Sequence, residues 1–220
     1  MPYLVSSIIA IVTALIILMT RYEADDSTIT SEIERAKSMF TTIDGFVNTY
    51  IQSGGDMTMG DTINTETYKK INFATLYKNG ILFGNISKEN ILKVNLNDNK
   101  HSSEETDKNK FFESQLQFPN SNIIWQIVPI VIGDKYKDSS GIEKDISTSA
   151  GAGYKIFVNF TNNPTLKNKD SFSENFFGKE VCEKTLFGTF LSDGIDFDAN
   201  FKIVQRGNLK DSKFVCIVFK

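Results

Sequence analysis

The first twenty residues of the chain carry no charged side chain, and four charged residues follow almost at once: Arg21, Glu23, Asp25 and Asp26. At about 1.5 Å per residue, a helix of that length would span roughly the hydrocarbon thickness of a bilayer. A cleavable secretory signal would instead have a basic start, an apolar run of about 7–15 residues and a small-residue cleavage site. Because the segment has no basic start and a longer apolar run, we expect a retained helix.

The residues after Asp26 have the spacing of an amphipathic helix. Apolar side chains recur at alternating steps of four and three, which places them on one helical stripe: Ile29, Ile33, Ala36, Phe40, Ile43, Val47 and Tyr50. Gly54 and Gly55 then provide a stop signal. The sequence therefore predicts one helix from about residue 3 to residue 53, on the order of 75 Å long. Its first half should be apolar all round and its second half amphipathic.

The remainder of the chain contains short apolar segments that are typical of β-strands. The pair Asn79–Gly80 suits a two-residue turn and predicts a hairpin over residues 71–86. Further strands are expected at 122–133, 154–160, 201–207 and 213–220, and the last two should pair with each other. Polar stretches without periodicity predict exposed loops at 95–110 and 133–153. The predicted fold class is α+β, with a long N-terminal helical spine packed on an antiparallel β-sheet head.

The chain has two cysteines, Cys182 and Cys216. Disulfides form and persist mainly in oxidising compartments outside the cytosol. Because the uncharged N-terminal segment indicates export, we expect these two residues to form a disulfide.

Few residue patterns indicate chemistry. Asp193, Asp196 and Asp198 lie close together in the sequence, and carboxylate oxygens on a tight loop are ligands that calcium prefers. We expect a solvated connection and no cofactor here, with a calcium site held by these three residues as the alternative. The lone His101 cannot build a histidine metal cluster, and the sequence has no G-x-S-x-G nucleophile elbow, so we expect no enzyme. The net charge of −3, without a basic block, excludes general nucleic-acid binding.

An uncharged N-terminus that runs into an amphipathic helix, a β-rich remainder and a pair of cysteines in the C-terminal part resemble the type IV pilin family and its pseudopilin relatives. The resemblance implies a helical spine over 1–53 and a β-rich head over 54–220. Within the spine, residues 1–25 would be membrane anchor and filament core, and residues 26–53 the amphipathic half. The region between the cysteines would form part of the outer surface. Family members usually carry glutamate at the fifth position of the mature chain, which is Val5 here if Met1 is the mature start.

The resemblance also implies a function: a structural subunit of an extracellular filament at the cell surface, acting in adhesion, motility or uptake. Its partners would be copies of itself in a helical homopolymer, the pilus assembly machinery and, before assembly, the inner membrane. The assembly contacts would come from apolar side chains early in the helix: Leu4, Val5, Ile8, Ile9, Val12, Leu15 and Ile16. An apolar segment of this kind must be covered by lipid or by other copies. The alternative is a membrane-anchored extracytoplasmic sensory or ligand-binding domain, with the helix as a stalk.

Overall fold

A computed structural model describes residues 2–55, 57, 70–94, 96, 112–130, 134–137, 142–146, 153–167, 178–191, 195–197, 203–205 and 212–220. The helices are α1 (Pro2–Gln52), α2 (Phe73–Lys78) and a short α3 (Gly178–Glu180), which continues as a π-helical turn over Val181–Thr185. Within α1, side chains are described for residues 12–14 and from Asp26 onward.

The strands are β1 (Ile91–Leu92), β2 (Gln115–Gln117), β3 (Ile124–Pro129), β4 (Lys135–Lys137), β5 (Glu143–Asp145), β6 (Gly153–Asn159), β7 (Thr189–Leu191), β8 (Ile195–Phe197), β9 (Ile203–Gln205) and β10 (Lys213–Phe219). Among the described residues, six of them form one antiparallel sheet in the order β1-β2-β3-β6-β10-β7. The longest strands, β3, β6 and β10, occupy its centre. The other four strands form two separate ribbons, β4–β5 and β8–β9.

The apolar stripe of α1 packs on one face of this sheet. Six of its seven residues are buried and the seventh, Ile29, packs against the same core while partly exposed. Phe40 lies at the centre of the contact: its ring is 5.4 Å from that of Trp125 on β3, edge to face, and 6.1 Å from that of Phe214 on β10, stacked. Such ring pairs add to the free energy gained by burial. The amphipathic stripe predicted from the spacing is therefore confirmed.

The second face of the sheet is also covered. Phe157 of β6 and Val215 and Ile217 of β10 point away from α1 and form a separate apolar cluster. The ribbons contribute to it, because Ile146 follows β5 and Phe197 belongs to β8. The protein thus consists of three layers: the helix, the sheet and the two ribbons.

The predicted fold class is wrong in its helical spine. The expected first half was apolar all round, yet no helix in the described part of the chain is both long and apolar enough to cross a membrane. The described helix from Asp26 onward is amphipathic, because only the side that meets the sheet needs to be apolar. Its outer side exposes Thr30, Glu34 and Thr41 to solvent. The structure therefore shows a helix on a six-stranded antiparallel sheet, and the spine with an apolar first half is not shown.

The predicted hairpin over residues 71–86 is wrong as well. This segment forms α2 instead, and the side chain of Asn72 caps its start by accepting a hydrogen bond from the Thr75 amide at 2.8 Å. Asn79 and Gly80 end the helix, and Gly80 has a positive φ of 67°. An Asn–Gly pair suits a helix C-terminus as well as a hairpin turn, since both use the left-handed backbone region.

The expected pairing of the last two strands is also wrong. β9 pairs with β8, whereas β10 pairs with β6 on one side and with β7 on the other. The stretch predicted as a loop over 133–153 contains the ribbon β4–β5. The stretch predicted as a loop over 95–110 lies, apart from Leu96, outside the described residues. Neighbouring segments in a sequence often pair, but here the central pairs join strands that are distant in the chain.

Removing the central helix–sheet contact should destabilise the whole protein. Phe40 is fully buried, so we expect Phe40→Ala to lower the free energy of unfolding by about 3–5 kcal/mol, measured by urea denaturation. Thr41→Ala changes the adjacent, exposed residue and should shift it by no more than about 0.5 kcal/mol. Equal, small losses in both variants would contradict the packing described here.

Candidate assembly helix and disulfide-bounded surface

The helix α1 extends well beyond the sheet that it covers. Its buried residues run from Ile33 to Tyr50. Asp26, Ser27 and Thr28 are exposed, and so are residues 12–14. All seven candidate assembly residues, Leu4, Val5, Ile8, Ile9, Val12, Leu15 and Ile16, lie in α1. Of these, only Val12 has a described side chain, and it is 47% exposed. The assembly role of the seven stays a prediction.

The carboxylate of Asp44 fixes the buried half of α1 to the sheet. Its Oδ1 accepts a hydrogen bond from the Tyr154 hydroxyl of β6 at 2.5 Å and lies 2.7 Å from the Lys220 ammonium. Its Oδ2 accepts a hydrogen bond from the Asn48 amide one turn along the helix, at 2.9 Å. Hydrogen bonds to charged groups are among the stronger ones in proteins. Asp44 therefore links the helix to β6 and to Lys220, which directly follows β10.

Two further polar contacts attach α1 to loops of the head, at the N-terminal end of its buried stretch. Arg35 donates a hydrogen bond from Nη2 to the backbone carbonyl of Pro119 at 3.0 Å. Glu32 accepts one from the Asn163 amide, also at 3.0 Å. These two contacts come from different loops and lie a few residues apart on the helix. Together with the contacts of Asp44, they fix the position and rotation of the helix on the sheet. Apolar packing by itself has little directional preference.

The predicted cysteine pair is brought together by the fold. Cys182 lies in the π-helical turn and Cys216 in β10, and the two are joined in a disulfide with Cα atoms 5.7 Å apart. Both side chains are fully buried. The bond attaches the turn to a central strand of the sheet.

The second residue after this turn exposes an aromatic ring. Phe187 is 84% exposed and has a φ of 53°, a left-handed conformation that is uncommon for a bulky residue. Gly188, directly after it, donates a hydrogen bond to the Cys182 carbonyl at 2.7 Å. A side chain at Gly188 would collide with the Ile217 carbonyl and with the Cys216 sulfur. The disulfide-bounded segment thus holds an exposed phenylalanine on a tightly packed backbone.

The calcium residues are only partly described. Asp193 and Asp198 lie outside the described residues, as does His101. Asp196 lies in β8, opposite Val204 of β9, where a loop was expected. Among the described residues, no group of three or more His, Cys, Asp or Glu side chains could hold a metal ion. The calcium site stays a prediction.

One buried polar pair was missed by sequence reasoning. Lys155 of β6 and Asp134 are both fully buried, and Lys155 Nζ lies 2.6 Å from Asp134 Oδ2. Strand alternation indicates that Lys155 and Tyr154 face opposite sides of the sheet. Without knowledge of the ribbons, a lysine on that side is expected to face solvent. No sequence signal showed that the second face would be covered.

The contact of Tyr154 with Asp44 should affect stability at alkaline pH. Burial raises the pKa of the Tyr154 phenol far above its usual value of 10.0, and the charge and hydrogen bond of Asp44 raise it further. Above about pH 10 the unfolded chain loses this proton while the folded chain keeps it, so the free energy of unfolding should fall as the pH rises. Tyr154→Phe should lower it by about 1.5–3 kcal/mol at neutral pH and make the alkaline decline less steep.

Urea titrations of both proteins at several values between neutral and alkaline pH measure this difference. Comparing the two slopes cancels the titration of the other tyrosines and lysines. Parallel curves for the two proteins would show that Tyr154 does not contribute as proposed.

The disulfide should contribute to stability through the loop it closes. The bonded cysteines are 34 residues apart, and a loop of that size corresponds to about 3–4 kcal/mol on the chain-entropy estimate. We expect this loss when Cys182 and Cys216 are both replaced by alanine, measured by urea denaturation. Alkylation of the purified protein without reductant, followed by mass spectrometry, should find no reactive thiol. Two freely alkylated cysteines would contradict the bond.

Comparison with known proteins identifies no relative of this chain. No family model, no curated protein and no solved structure matches it. The proposals that follow are argued from the residues and contacts described above.

Proposed function

We propose that this protein is a structural subunit of a type IV pilus-like extracellular filament, which polymerises through the N-terminal part of α1 and displays the sheet-containing head. The role is structural and does not involve catalysis. One observation carries the proposal: α1 is much longer than the stretch over which its described side chains are buried. The helix has 51 residues and is about 75 Å long. The buried stretch from Ile33 to Tyr50 accounts for only about 26 Å of this length.

The composition of the remaining helix favours a partner made of the same helix. Residues 1–20 contain no charged side chain, and residues 12–14, whose side chains are described, are exposed. Uncharged surface gains free energy when it is covered, and copies of the segment can pack against one another because no charge has to be paired at the interface. A polymer of identical subunits with helices at its centre satisfies this requirement. The heads would then lie at the outside.

The contacts between α1 and the sheet suit a subunit that transmits force. The helix is held to the head by the apolar stripe and by charged side chains from three positions, Glu32, Arg35 and Asp44. A load applied to the N-terminal part of α1 therefore passes directly into the central strands. A flexible linker between helix and head would not provide this connection.

A charge placed in the assembly segment tests the proposal. In producing cells, antibody to the head should label filaments in sheared surface material examined by negative-stain microscopy. Val12→Asp should abolish these filaments, because an unpaired carboxylate buried between helices costs several kcal/mol. The head itself should keep its melting temperature, since the buried stripe begins farther along α1.

Thr30→Asp is the matched control, since it places the same charge on an exposed position of the half that packs on the head. This variant should still form filaments. Filaments at the normal level from Val12→Asp, or labelled head found only as dispersed monomer in the unchanged protein, would contradict the proposed assembly.

A further inference from the structure

We propose that Lys155 and Asp134 become joined by an intramolecular amide bond, an isopeptide cross-link inside the head. This inference concerns a covalent modification and does not depend on the proposed filament. It rests on the position of a primary amine against a carboxyl group in a site without solvent access. Lys155 Nζ lies 2.6 Å from Asp134 Oδ2, and both side chains are 0% exposed.

The backbone holds both reacting residues in place. Lys155 lies in the middle of β6, paired with Val128 of β3 on one side and with Ile217 of β10 on the other. Asp134 comes directly before β4, and its carbonyl oxygen accepts a hydrogen bond from the Ile146 amide at 2.9 Å. The amine is therefore carried by the most extensively paired part of the sheet, and the carboxyl group by the ribbon above it. Neither group needs a large movement to reach the other.

The surroundings disfavour separated charges. The ring of Phe197 lies 5.3 Å from Lys155 Nζ, and the buried side chains of Val128 and Ile146 belong to the same side of the sheet. Lysine is almost never fully buried unless it is paired, because desolvation of an ammonium ion costs free energy. In such a site, transfer of one proton from Lys155 to Asp134 converts an ion pair into a neutral amine beside a neutral carboxylic acid. These are the two forms that can condense.

The condensation is balanced without any other reactant. The nitrogen lone pair of Lys155 attacks Asp134 Cγ and forms the new carbon–nitrogen bond. The carbon–oxygen bond to one carboxyl oxygen then breaks, and a proton from the nitrogen leaves with that oxygen. The products are one amide and one water molecule, and no atom is oxidised or reduced.

The fixed positions of the two groups and the absence of water from the site both favour amide formation. Two groups held in reactive geometry can react as if present at about 10⁵–10⁸ M, which lowers the entropic part of the barrier to condensation. Hydrolysis of the amide would require water to enter the site again. The bond would link β6 covalently to the ribbon β4–β5, across a separation of 21 residues.

Ion pairs elsewhere in the described residues do not combine these conditions. Lys135 and Glu143, on the same ribbon, are 53% and 59% exposed and lie 3.8 Å apart. Both groups are open to water there, and they are farther apart than Lys155 and Asp134. This pair therefore provides a matched control within a few residues of the proposed bond.

The mass of the full-length protein tests the proposal directly. Purified protein that unfolds cooperatively is reduced, denatured and measured by intact mass spectrometry. We expect a mass lower than that of the sequence by one water molecule, and a proteolytic peptide in which the segments around residues 134 and 155 are joined. A full mass for this protein would overturn the proposal and leave a buried ion pair only.

Two variants locate the bond. Lys155→Arg should restore the full mass of its sequence, because the guanidinium group is not a nucleophile under these conditions; this result holds whether or not the variant folds well. Lys135→Arg should retain the loss of one water. The same loss in Lys155→Arg would place the modification elsewhere and overturn the assignment.

Discussion

The burial of the apolar stripe of α1 on the sheet is the contact on which the rest of the structure depends. Phe40 inserts between rings from β3 and β10, and the stripe continues on both sides of it. Without the helix, a wide apolar face of the sheet that includes Trp125 and Ile127 would be exposed to water. The second half of α1 is therefore part of the head's core, and the helix and the sheet fold as one unit.

Covering the sheet on both sides has a chemical consequence. A sheet with one free face can place lysines toward solvent, as strand alternation normally allows. Here the ribbons close the second face, so that Lys155 is buried and must find a partner within the protein. Asp134 supplies this partner because it begins one of the covering ribbons. The same layer that removes water from the apolar cluster also removes it from the reactive pair, and this connects packing with the proposed cross-link.

The proposed function depends on one helix meeting two different requirements. One side of its C-terminal half packs on the sheet and the other side faces solvent. Hydrogen bonds of Asp44 and Arg35 fix its position on the sheet. Its N-terminal part has no charged residue among the first twenty, and the proposed assembly uses this part. The exposed Phe187 lies elsewhere, between the turn that the disulfide attaches to β10 and the edge strand β7. Assembly through the helix would leave that surface available for other contacts.

Local patterns in the sequence determined the extent of α1 and its buried stripe. The spacing of Ile33, Phe40 and Val47 specifies one helical face whatever the rest of the chain does, because residues three and four apart are neighbours in any α-helix. Local patterns failed where one signal suits two structures. Asn79–Gly80 fits a hairpin turn and a helix end alike, and the cap at Asn72 decided for the helix. The apolar first half of the helix was predicted from the absence of charge in residues 1–20, and the described residues do not show it.

Strand partners and the buried pair were decided only by the tertiary structure. β10 lies between β6 and β7, not beside β9, and its Phe214 joins the core that α1 covers. Lys155 meets Asp134 because a ribbon from another part of the chain folds over it. Sequence spacing describes neighbours within one element, where geometry is repeated and local. Contacts between elements depend on which surfaces become buried when the whole chain folds, and no single segment contains that information.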